Sequence, residues 1–154
     1  MIIETERCII RHFTEDDALQ LNEILSDKDV MQYIEPPFTM QQTEDFIKDA
    51  GLCSPPLVHA LVWRETSRVI GHVIFHRYEE DSIEIGWIIH KDFWGQGIAG
   101  EVTSALIAHA RKIGAQSCII ECDPKQTATA RIALKHGFAF EGQDDGCCIY
   151  RLIL

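Results

Sequence analysis

Gly95, Gly97 and Gly100 stand at G-x-G-x-x-G spacing, after an apolar run and before a stretch of helical periodicity. Glycines let a backbone approach a ligand closely. The amides that open a helix have no intrahelical partner and lie at the positive end of its dipole. Together they make an anion site suited to a pyrophosphate. Glu121 follows about twenty residues later, where a dinucleotide-binding domain keeps its ribose-binding acid. A nicotinamide-dependent oxidoreductase is therefore one reading. Three features stand against it: His90 to Trp94 separate strand from glycines, 54 residues are too few for the βα units that must follow Gly100, and the strands before the loop read as antiparallel. Glu84 is a second focus, because it interrupts the apolar run Ile83 to Ile89. A carboxylate there is costly to bury without a partner or a purpose, which makes it the first candidate for a general base. His76, near Tyr78, is the second; His90 reads as surface or cap.

Six cysteines, Cys8, Cys53, Cys118, Cys122, Cys147 and Cys148, form no C-x-x-C pair. They read as free thiols of a reducing compartment, and no metal is expected. A net charge of −10 with only 14 basic residues argues against a nucleic-acid partner. No apolar run approaches the ~18 residues that span a bilayer, and the N-terminus lacks the apolar region of a signal peptide. No membrane partner is expected, and the cytoplasm is the expected compartment.

The elements that must position these groups follow from periodicity. Residues 1–154 read as one domain. Met1 to Arg11 reads as a strand rich in isoleucine. Thr14 and Asp17 form a helix start, and Ala18, Leu21, Ile24 and Leu25 give a helical stripe. Thr39 opens a second helix that Gly51 stops. Leu57 to Trp63, Arg68 to Phe75 and Ser82 to Ile89 read as three strands of an antiparallel meander. Gly95 to Ile113 turns helical, with Val102, Ala105, Leu106, His109, Ala110 and Ile113 on one face. Ser117 to Cys122 is a strand, Thr127 to His136 a helix, and the remainder a final strand pair. The order β-αα-βββ-α-β-α-ββ predicts an α+β fold with a mixed, mostly antiparallel central sheet flanked by helices.

Four segments, taken in order, resemble one family. Trp94-Gly95-Gln96-Gly97-Ile98-Ala99 is similar to the acetyl-CoA pyrophosphate loop, [Q/R]-x-x-G-x-[G/A], of the GNAT superfamily of N-acetyltransferases; Trp94 replaces the usual Gln or Arg. That replacement is common in the branch of ribosomal-protein N-terminal acetyltransferases and their relatives. ETERCIIRHFTEDDALQL resembles the branch's opening strand and helix, SDKDVMQYI with PPFTMQQTEDFI its substrate-side segment, and DPKQTATARIALKHGFAFEG its second CoA motif. Glu101 stands in a typical position behind the loop.

The resemblance implies acetyl-CoA as acetyl donor and a primary amine, on a protein N-terminus or a small molecule, as acceptor. The backbones of Trp87, Ile88 and Ile89 would pair with pantetheine. An amide near Ile88 or Ile89 would stabilise the oxyanion, a contribution of ~3–4 kcal/mol. The amides of Gln96, Gly97, Ile98, Ala99 and Gly100 would hold the pyrophosphate. Gln126 and Thr129 replace the Asn and Ser of the second motif and keep their hydrogen-bonding ability; Lys135 could reach a phosphate. Tyr33, Glu35, Phe38, Phe75 and Tyr78 are candidates for the acceptor wall. The helix tyrosine that serves many relatives as acid is Ala133 here, and Cys122 is an alternative proton donor. A catalytically silent acetyl-CoA sensor is the other reading the resemblance allows, and either a monomer or a homodimer is compatible with it.

Overall fold

The computed structural model describes residues 1–154. Eight strands and four α-helices follow in the order β1 (Ile3–Glu4), β2 (Cys8–Arg11), α1 (Ala18–Leu25), α2 (Met40–Phe46), β3 (Val58–Trp63), β4 (Arg68–Glu79), β5 (Ser82–Ile89), α3 (Ile98–Lys112), β6 (Ser117–Cys122), α4 (Thr127–Lys135), β7 (Ala139–Asp144) and β8 (Cys147–Ile153). The strands form one sheet in the order β1-β2-β3-β4-β5-β6-β8-β7. β5 and β6 pair in parallel, and the other neighbours are antiparallel. The architecture is the α+β fold with a mixed, mostly antiparallel sheet that the sequence predicts.

Alternation along the strands sends side chains to two cores. Leu61, Val73, Ile85 and Ile120 meet Val102, Leu106 and Ala110 of α3 and Ala133 of α4 on one face. Ala60, Val62 and Val69 meet Leu21, Ile24 and Leu25 of α1 and Ile47 beyond α2 on the other. Burying each of the valine, leucine and isoleucine side chains contributes about 1.5–3 kcal/mol. The predicted start of α1 forms through Asp17, whose carboxylate accepts the Thr14 N–H at 2.8 Å and both terminal nitrogens of Arg11 at 2.8 and 2.9 Å.

Three expectations are corrected. The first strand is a hairpin, because Thr5 turns the chain: its N–H donates to the Cys8 carbonyl, and its hydroxyl accepts from the Cys8 N–H, each at 2.9 Å. The strand expected to stop at Phe75 runs to Glu79, so His76 and Tyr78 sit within the sheet. Ile113 lies outside the buried face of α3 and is exposed, because the helix ends at Lys112 just before Gly114.

Candidate functional site

β5 has two unequal edges. Toward β4 it is paired along its whole length. Toward β6 it pairs only through Ser82, Ile83 and Glu84, opposite Ser117, Cys118 and Ile119. Beyond Glu84 the strands part and leave a groove. The His90 N–H donates to the Ile70 carbonyl at 2.7 Å, so His90 and every second residue before it turn their backbone groups toward β4. Ile88 is therefore occupied by β4, whereas the N–H and C=O of Trp87 and Ile89 point toward the groove. Close pairing also explains Gly71, where a Cβ would collide with the Ile88 carbonyl oxygen. The Ile89 carbonyl accepts the Trp94 indole N–H at 2.8 Å, a contact the sequence reading did not foresee.

The groove runs into a cavity of about 1040 Å³ bounded by the end of β5, the start of α3 and α4. Trp87, Ile88, Ile89, Gly97, Ile98, Ala99, Gly100, Gln126 and Thr129 all line it, as do Lys125, Lys135 and Tyr33. Gly97 opens α3 at φ +80°, a conformation only glycine adopts without strain. Gln96 does not line the cavity. Its carbonyl accepts from Arg7 at 2.8 Å, and its side chain donates to the Asp92 carbonyl at 3.2 Å. Gln126 folds back to accept the Asp123 N–H at 2.8 Å, a bond its extra methylene lets it reach.

The two candidate bases meet. His76 and Glu84 are directly opposed on β4 and β5, with His76 Nε2 3.1 Å from Glu84 Oε2. His76 Nδ1 lies 2.9 Å from the Arg77 carbonyl, which can only accept, so Nδ1 carries hydrogen. Nε2 then faces a carboxylate oxygen and donates to it when the ring is protonated. The hydrogen bond that His76 donates to the Glu84 carboxylate is the main cause that holds the His76 pKa above its ordinary value. Glu84 is the last β5 residue paired with β6, so the dyad marks the closed end of the groove. Neither residue lines the large cavity itself.

Other candidates are dispersed. The Tyr78 hydroxyl donates to Glu121 Oε1 at 2.7 Å, and this bond is the main cause that pushes the phenol up to about 12. Glu121 is thus held on the sheet away from the glycine loop, and the dinucleotide reading loses its ribose ligand. Phe75 is corrected to a core residue, buried among the side chains under α3 with its ring 5.2 Å from His109. Phe38 packs on Phe46 at 6.1 Å. Glu35 is exposed beside Tyr33 and Ile34 on a smaller cavity of about 520 Å³. Ala133 is fully buried and offers no hydroxyl. All six cysteines are free, and burial pushes the Cys122 thiol up to about 11. His90 caps the turn after β5, accepting the Asp92 N–H at 3.0 Å.

Comparison with known proteins assigns the class. Residues 7–139 match the model of the acetyltransferase (GNAT) domain. The chain is 30% identical over 146 residues to YnaD of Bacillus subtilis (strain 168), described as an uncharacterized N-acetyltransferase, covering 92% of this chain and 85% of that protein. It is 31% identical over 85 residues to the ribosomal-protein-serine acetyltransferase of Escherichia coli (strain K12), covering 53% and 47% of the two chains. The crystal structure of a GNAT-family acetyltransferase from Bacillus anthracis superposes with a TM-score of 0.90 at 26% identity, covering 99% of this chain and 98% of that one. The chain belongs to the GNAT family of N-acetyltransferases, enzymes whose acetyl donor is acetyl-CoA. No helix is long and apolar enough to cross a membrane.

Proposed function

We propose that this protein moves the acetyl group of acetyl-CoA to a primary amine by direct attack, with donor and acceptor bound together. The observation that carries this reading is the open edge of β5, which begins beyond Glu84 and carries Trp87 and Ile89 into the cavity that the start of α3 lines. The donor fits that track. Pantetheine would add to Trp87 and Ile89 as a short strand. The amides of Gly97, Ile98, Ala99 and Gly100 would hold the pyrophosphate, with Thr129, Lys125 and Lys135 beside it on the α4 side. Bound acetyl-CoA supplies a thioester carbonyl already activated toward an amine. The groove-facing amide of Trp87 or Ile89 would stabilise the negative charge that develops on its oxygen.

Glu84 is the group that takes the amine's proton. Its partner His76 is already bound to an acceptor on each nitrogen, which leaves the carboxylate as the proton-accepting member. Ala133 replaces the helix acid of many relatives, so coenzyme A would leave as the thiolate, a departure that relies on the reactivity of the thioester and on positioning. Tyr33 and Ile34 on the cavity wall, with Glu35 just outside, would receive the acceptor; Glu35 would attract an ammonium group. The likeness to a ribosomal-protein-serine acetyltransferase supports a protein N-terminus among the acceptors. Thiol release from acetyl-CoA, followed with a serine-initiated peptide and a panel of small amines, tests the reading. Turnover that Glu84→Gln lowers about 100-fold is the expected result. Tight CoA binding without turnover on any amine would instead favour the catalytically silent sensor.

A further inference from the structure

Arg7 lies in the β1–β2 turn and is not part of the cavity wall, yet it grips the glycine loop from behind. Its Nη1 donates to the Gln96 carbonyl at 2.8 Å. Its Nε donates to Glu101 Oε1 at 2.9 Å, and its backbone N–H donates to Glu101 Oε2 at 3.1 Å. The Thr5 hydroxyl donates to the same carboxylate oxygen at 2.6 Å. Glu101 sits in the first turn of α3 and is mostly buried. The turn of the first hairpin and the start of α3 are thereby locked together through Glu101, and the Arg7 guanidinium alone extends the lock to the Gln96 carbonyl.

This lock has a geometric consequence. The Gln96–Gly97 peptide is trans, since the one cis bond in the chain is Ser54–Pro55. In a trans peptide the C=O and the following N–H point in opposite directions. A Gln96 carbonyl held toward Arg7 therefore turns the Gly97 N–H away from the hairpin, toward the cavity that Gly97 lines. Loops rich in glycine have no side-chain packing of their own to fix such a peptide plane.

We propose that Arg7 is a positioning residue for donor binding, holding the Gln96–Gly97 peptide so that the Gly97 amide faces the anion site. The inference rests on the pyrophosphate reading of that site. Glu101 neutralises Arg7, so the effect comes from orientation and not from added positive charge. Lysine cannot reproduce it, because one ammonium lacks the planar fork that meets a carbonyl and a carboxylate together.

The test is calorimetric titration of the full chain with coenzyme A, for the wild type and for Arg7→Ala, Arg7→Lys and Gly97→Glu, with folding checked by circular dichroism. Losing one charge-assisted hydrogen bond to phosphate corresponds to roughly 10–100-fold in affinity. Arg7→Ala is expected to bind about that much more weakly, and Arg7→Lys to fall within a few-fold of it. In turnover, the acetyl-CoA KM should rise while kcat changes by less than about 3-fold. Should Arg7→Ala fail to fold, Arg7→Lys carries the test alone. Wild-type affinity in Arg7→Lys, or in a folded Arg7→Ala, overturns the proposal. A Cβ at Gly97 would lie 3.7 Å from Arg7 Nη2, so Gly97→Glu disturbs both partners; absence of coenzyme A binding by the wild type is what overturns the pyrophosphate reading beneath the proposal, which separates the two failures.

Discussion

The donor and acceptor sides of the groove are built from different material. On the donor side the proposed contacts are mainly backbone groups, two residues at the open edge of β5 and the first amides of α3, with the side chains of Thr129, Lys125 and Lys135 flanking them. On the acceptor side they are side chains drawn from β4, β5 and the segment between α1 and α2. A backbone site needs only a strand that loses its neighbour and a helix that starts with small residues. It tolerates replacements such as Trp94 or Gln126 because their side chains find local bonds at Ile89 and Asp123 instead. A side-chain site has no such tolerance, and it is where one acetyltransferase can differ from another on a shared scaffold.

The sharpest break of this contrast is Gly97→Glu, which puts bulk and negative charge at the start of α3. Coenzyme A binding should be lost, while stability falls by only about 1 kcal/mol from the strain of a positive φ. A calorimetric titration paired with a melting curve checks both halves. Next in size is Glu84→Gln, which should lower kcat about 100-fold and leave coenzyme A affinity unchanged. The same change removes the main cause of the raised His76 pKa, so His76 should titrate closer to its ordinary value when followed by its ring proton in NMR. With Glu84 present, the His76 contribution to stability is complete below the unfolded-state pKa and is lost as pH rises through the elevated folded one.

Two other histidines have the opposite sign. His59 and His72 are buried, and burial pushes each down to about 4. Their neutral forms fit the core, so stability is complete above the ordinary imidazole value of 6.5 and falls as pH drops toward 4. Between pH 6.5 and 5 each should cost on the order of 1–2 kcal/mol. Urea unfolding at the two pH values measures the loss, and His72→Phe should remove its share. The smallest effect sharpens the donor side: Trp94→Phe deletes the indole bond to the Ile89 carbonyl and should change acetyl-CoA KM by about 2–5-fold.

How much of this was legible in the sequence follows the same division. The glycine loop was readable because its spacing is local and its function needs only small residues before a helix. Most of the strand and helix order was readable because alternation and helical stripes are local too. The hairpin inside the first eleven residues escaped because isoleucines run through both arms and Thr5 carries no mark of the turn it makes. Glu84 and His76 were each identified as candidate bases, but their direct pairing depends on the β4–β5 register, which no local pattern encodes. Phe75 was misplaced for a related reason: one step along β4 moves a side chain to the opposite face. Arg7 was invisible because its partners lie 89 and 94 positions away.

The proposed donor site is made chiefly of backbone, along the open edge of β5 and the start of α3. A ¹⁵N–¹H NMR titration with coenzyme A tests it residue by residue. The account predicts the largest amide shifts at Trp87, Ile89 and Gly97 to Gly100, with Ile88, whose amide is held by β4, moving less than both its neighbours. Shifts centred on the α1–α2 segment or on Glu121, with the α3 amides unmoved, would contradict it.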